Sequence, residues 1–184
     1  MTLAEHDAQL RAEGKWDAFV AQKQEREAAA RQRQEELSRA EAPLVHDLRS
    51  AGFAVDSVWD LVNTKQSYEE AVRVLLDHLN GDYPSAIREG IARALAVPEA
   101  RFAWTTLIKA YRDEMDQRAK DGLAVAVANT ASDEFIPEVI ELARNPRHGS
   151  SRLLLLAALE RSRDPRAHEA LSQLVTDPEL VKEV

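Results

Sequence analysis

A chain of 184 residues with 45% hydrophobic side chains has apolar material for one domain, or one domain with an appendage. A net charge of −8 repels nucleic acid and anionic membranes at long range, and the absence of Cys excludes disulfides, thiolate metal sites and a Cys nucleophile. With no basic-then-apolar leader and no apolar run of about 18 residues, a cytoplasmic protein with no membrane partner is expected.

Ala, Leu, Glu and Arg dominate, and no β-branched run alternates with polar residues, so the chain reads as all-α. Residues 1–42 read as a polar helical arm with a candidate break at Gly14. Its stretch Ala21–Glu36 is polar on every face, as in a helix held by local charge pairs. Trp16, Phe19 and Val20 form its only apolar cluster, either a docking patch or a contact with the chain's own core. Pro43 is expected to start a new helix carrying Leu44, Val45 and Leu48, which Gly52 stops. Asp56 or Ser57 should cap a short helix, and Ser67 with Glu70 a capping box for the helix that ends near Gly81. Pro84 then opens the helix PSAIREGIARALA.

From here the chain repeats itself with a step of 32 residues. Arg88–Ala96 recurs without a gap as Lys120–Ala128, and a further step brings Arg152, Leu155, Ala158 and Leu159 under Lys120, Leu123, Ala126 and Val127. The preceding helices keep the same register through Leu75, Leu107, Val139 and Leu171. Two helices in register over three to four copies define a hairpin unit, helix A then helix B, that cannot bury its own apolar stripe and must stack. The units run 68–97, 98–130 and 131–163, with a degenerate hairpin at 43–66 and a partial capping unit at 164–184, so the repeat domain covers 43–184.

DYPSAIREGIARALA resembles the inter-helix turn and second helix of a HEAT repeat, with a turn Asp and Pro before an apolar–Arg pair and small and Leu positions one turn apart. The resemblance covers residues 68–177, with a step shorter than the usual HEAT unit of about 40 residues. It implies an α–α superhelix, a solenoid of helical hairpins with an N-terminal arm, and helix-B cations that brace neighbouring units. The cations in question are Arg88, Lys120 and Arg152, and Asp82 or Asp116 are the expected acids. Gly90 and Gly122 are expected at close helix–helix approaches.

No HExxH, phosphate loop, GxSxG or Walker motif occurs, and the five His (His6, His46, His78, His148, His168) are scattered, so neither enzyme, metal nor cofactor is expected. The remaining candidate surface is the outward row of helix B, concave in stacked hairpins: Glu89–Asp121–Leu153, Arg93–Val125–Ala157 and Ala96–Ala128–Glu160. This row suits a protein groove, and charge reversal at Glu89 and Asp121 is expected to spare the core. The leading expectation is a non-catalytic interaction module (adaptor, assembly factor or inhibitor) that binds another protein through Glu89, Arg93, Asp121, Val125, Leu153 and Glu160, as a monomer. The alternatives are a HEAT-like nucleic-acid-binding or base-modifying protein that uses the locally basic segment 144–166 and, more weakly, a cofactor or chromophore lyase.

Overall fold

A computed structural model of the chain describes residues 2–174, 176 and 177. Helices account for all regular structure among them: α1 Leu3–Ala12, α2 Trp16–Ser50, α3 Val58–Asn63, α4 Glu69–His78, α5 Ser85–Ala94, α6 Trp104–Asp113, α7 Gln117–Thr130, α8 Ile136–Arg144, α9 Arg152–Arg161 and α10 Pro165–Leu174. Three 3₁₀ segments, Pro98–Ala103, Asp133–Phe135 and Pro146–Ser151, lead into α6, α8 and α9. The fold class is all-α. Val175 and residues 178–184 of the expected capping unit lie outside the described residues, as does the His6 side chain.

The chain divides into two compact units at Ala40/Glu41. In the first, Thr2 and Glu5 cap α1 reciprocally, and Gly14, at φ 66°, separates α1 from α2. No residue of 2–40 with a described side chain is buried.

In the second unit, the expectation that Pro43 starts a helix is overturned: Pro43 lies inside α2. Its missing N–H and its ring disfavour that position, and burial of Leu44, Val45 and Leu48 just beyond offsets the cost. Glu41, which falls within the expected polar arm 1–42, is only 6% exposed. Its Oε1 accepts from Val58 N at 2.6 Å and Ser57 Oγ at 3.0 Å, so it secures the start of α3 from 17 residues away. Ser57 caps α3 as expected, with Asp60 completing a capping box. The capping box expected at Ser67 and Glu70 does not form: α4 begins after Tyr68 with no side-chain cap, and Ser67 Oγ donates to Glu99, 32 residues on.

The core follows the 32-residue step. α4 pairs with α5, α6 with α7 and α8 with α9, while α5 packs on α3, α7 on α5, and α9 on α7. Ile91, Leu123 and Leu155 are buried at matching positions, as are Leu75, Leu107 and Val139. Gly90 and Gly122 lie at the closest approaches. A Cβ on Gly122 would stand 2.8 Å from the Glu89 carbonyl oxygen, and one on Gly90 2.5 Å from Val58 Cγ1. Real Cβ atoms do not approach that closely, so the glycines set the helix spacing.

Candidate functional site

The outward stripe of α7 is narrow. From Ala119 to Thr130 every residue is buried except Asp121 and Val125, which are half-buried, and Asn129, which is exposed; Arg118 leads the stripe. On α5 the matching positions are Glu89 and Arg93, and on α9 they are Leu153, half-buried, and Ala157, exposed. Because these three helices pack in sequence, the structure brings five of the six expected residues onto neighbouring stripes: Glu89, Arg93, Asp121, Val125 and Leu153.

Glu160 stands apart from them. Its counterpart Ala128 is 2% exposed because α7 has α5 on one side and α9 on the other. Among the described helix-B elements α9 packs on α7 alone, so Glu160 is exposed at the end of the stack rather than on the row.

Glu89 corrects the expectation that charge reversal on the row spares the core. It is 9% exposed, and its carboxylate holds two arginines: Oε1 accepts from Arg93 Nε at 2.8 Å, and Oε2 accepts from Arg118 Nε. A Lys there would leave three cations at the α5–α7 contact. Arg118, whose side chain is 57% exposed, was not among the expected site residues. The signal was available: it precedes Asp121 by one helical turn, so the 32-residue step sets it near Glu89. Asp121 accepts from Gln117 Nε2 at 2.7 Å, and Gln117 also donates to Ser150 at 3.1 Å, tying this part of the stripe to the segment before α9.

The helix-B cations face inward, with partners other than those expected. Arg88 Nη1 donates to Glu114 at 2.8 Å. Asp116 instead caps α7 through Ala119 N and accepts from Ser85 Oγ at 2.6 Å, which with the cap holds its carboxyl below the usual range. Buried Arg152 donates through Nε to Gly149 O and pairs with Asp177 at 3.3 Å. Arg88 and Arg152 therefore each reach forward about the same number of residues to an acid in the next unit's turn. The corresponding place ahead of Lys120 holds Asn145 and Pro146. Lys120 Nζ instead donates a hydrogen bond to Glu114 O at 2.8 Å and lies 5.2 Å from the Tyr111 ring centroid; burial pushes its pKa down, against the pull of Glu114.

Two polar groupings have the residue types of catalytic sites and the environments of braces. Tyr83 Oη contacts His78 Nδ1 at 2.5 Å, and His78 Nε2 contacts Asp47 at 2.9 Å. Burial, followed by Asp47 and Glu41, pushes the Tyr83 phenol up, which keeps it protonated where a nucleophile would need the reverse. Tyr111 contacts Ser151 Oγ at 2.9 Å, and burial pushes its phenol to about 12. His148 packs on the Tyr111 ring at 4.8 Å, with its Nδ1 buried and without a hydrogen-bond partner. A cleft of about 320 Å³ opens beside α6 between Arg88, Lys109, Asp113 and Glu114, at the small end of the range for ligand sites.

In the first unit Trp16 and Val20 are half-buried, Phe19 is 37% exposed, and Arg11 lies over the Trp16 ring at 4.4 Å. The basic segment 144–166 does not form one face. Arg144 donates to Gln173, Arg152 is buried, Arg161 donates to Ala128 O, and Arg166 pairs with Asp164. Among the described residues no group of three or more His, Asp or Glu could hold a metal ion, and no helix is long and apolar enough to cross a membrane. No family model, curated protein or solved structure compared with the chain matches it.

Proposed function

We propose that the chain is a HEAT-like solenoid acting as a non-catalytic module that binds another protein through the outward stripes of α5, α7 and α9. One observation carries the reading: Arg93, Val125 and Ala157, which the 32-residue step relates, lie on consecutive packed helices and reach the surface, Arg93 and Val125 half-buried and Ala157 exposed. Their sequence neighbours are buried on α5 and α7, and on α9 only Leu156 is half-buried. A row of small, aliphatic and cationic groups on rigid helices gives a partner a preformed surface at little ordering cost. The helix-B cations are engaged within the fold, Arg88 and Arg152 reaching acids of the next unit and Lys120 bonding the turn of its own.

The reading is tested by cross-linking the full chain to whatever it captures in its native cell and mapping the cross-linked positions. Cross-links are expected around Arg93, Arg118 and Asn129. Val125→Asp should reduce capture by about tenfold or more at an unchanged melting temperature. Cross-links confined to residues 1–40 would assign binding to Trp16, Phe19 and Val20 and remove the row from the function.

A further inference from the structure

We infer that the row selects a partner segment in which a side-chain carboxylate lies beside an aliphatic side chain, the carboxylate docking on Arg93 and Arg118. This deepens the proposed function and rests on that reading of the face. Both arginines contact Glu89 through Nε, and among the described residues no other protein group bonds their guanidinium groups. The terminal nitrogens of two guanidinium groups, from adjacent helices, are therefore left to meet a ligand while their Nε atoms are fixed from behind.

The burial pattern sets the polarity. The Glu89 side chain is 12% exposed, against 33% for Arg93 and 57% for Arg118, so the group's outer surface is guanidinium and its single carboxylate lies beneath. The three residues carry one net positive charge on a chain whose total is −8. Planar guanidinium edges match a carboxylate bidentately, which an ammonium cannot do. The surface changes character beside Asp121: Leu153 stands at the matching position on α9, and one helical turn further along Val125 on α7 and Ala157 on α9 follow, all three offering only apolar contact. A partner that places an acid on the first region and an aliphatic group on the second satisfies both. A polyphosphate track does not, since Asp121 lies between the regions and no aromatic side chain is available on either for base stacking.

Selection of a random short-peptide library on the full-length chain tests this directly. Hydrogen exchange then locates the bound peptides, and a titration compares each peptide with its Glu→Gln or Asp→Asn version. The expected result is an acidic–aliphatic consensus, protection along α5 and α7, and weakening by about tenfold or more on loss of the peptide carboxylate. Changing the peptide leaves the protein's folding untouched. Arg118→Lys, which keeps a cation for Glu89, should also weaken binding while preserving the melting temperature. A basic or purely apolar consensus protecting the same stripes, or indifference to the amide peptides, would overturn the inference and leave the face standing. Protection elsewhere, or no enriched sequence, would overturn both.

Discussion

Residues 2–40 and residues 41–177 are both helical, but their helices are held by different forces. In the first unit the support is local: the Thr2–Glu5 capping box, Gln32 Nε2 on Glu36 at 2.9 Å, and Lys23–Glu27 at 4.0 Å. The side-chain pairs contribute a few tenths of a kcal/mol each and the cap about 1 kcal/mol, comparable to what helix propensity contributes over a few residues. In the second unit the helices α3 to α10, of 6 to 14 residues, persist because each buries an apolar stripe against a packed neighbour. α3, α5, α7 and α9 pack on one another about 32 residues apart, α4, α6 and α8 on their hairpin partners, and α10 on α8 and α9. Isolated helices of that length are marginal in water. The comparison teaches that the polar helix is specified by its own residues, whereas the packed helices are specified by the period.

The largest expected effect breaks the packed side. Leu123 is 3% exposed between Ile91 and Leu155, which are fully buried. Leu123→Ala should cost about 2–5 kcal/mol in urea titrations. A loss under about 0.5 kcal/mol would mean that the period does not define the core.

Gly122→Ala sharpens the point, because propensity and packing predict opposite signs. Ala favours an isolated helix by about 1 kcal/mol. Here its Cβ would stand 2.8 Å from the Glu89 carbonyl oxygen, which cannot move without moving α5. We expect a net loss of about 1–3 kcal/mol. A gain would place α7 in the same class as the first unit.

Acid offers a third probe of the packed unit. His148 faces Tyr111 and Arg112 from α6, Lys120 from α7 and Arg152 from α9. Burial first, then these three cations, depresses its pKa. A protonated ring would also bury an Nδ1–H that has no acceptor. The folded state therefore binds fewer protons than the unfolded one near neutrality. Stability from this group is complete above the unfolded His value of about 6.5. It falls as pH drops through that value toward the lower folded-state pKa. Thermal midpoints measured from neutral pH to pH 5 should show this loss, and His148→Phe should flatten it. An unchanged slope in the variant would assign the acid sensitivity elsewhere.

These contrasts also explain what the sequence could show. Ile91, Leu123 and Leu155 were legible because burial of a stripe repeats with the fold. The glycines were legible because a costly residue recurred at one helical position. Glu41 and Glu89 were not: a lone carboxylate reads as solvent-facing until its donors are known. Those donors, Val58 N and Arg118 Nε, lie 17 and 29 residues away in sequence. Pro43 was misread because local chemistry favours a helix start there, and burial of Leu44, Val45 and Leu48 outweighs it. Of the site, the five row positions followed from the period. The arginine pair on Glu89 did not, because it depends on which side-chain nitrogen each arginine uses.

The smallest effects belong to the polar helix, and they test whether the two regimes are separate. Glu25→Ala removes an exposed charge and should change the urea midpoint by less than about 0.5 kcal/mol in stability. Replacing Ala28, Ala29 and Ala30 together with Gly is more demanding, since each exposed helical Gly costs about 1 kcal/mol relative to Ala. All three are exposed, so no cavity or lost contact accompanies the change. If local propensity alone holds this stretch, the triple variant should lose far-UV helical signal, while the cooperative transition of residues 41–177 keeps its midpoint. A shift of that transition comparable to the one from Leu123→Ala would show that the polar helix and the core unfold as one, and the distinction between them would be lost.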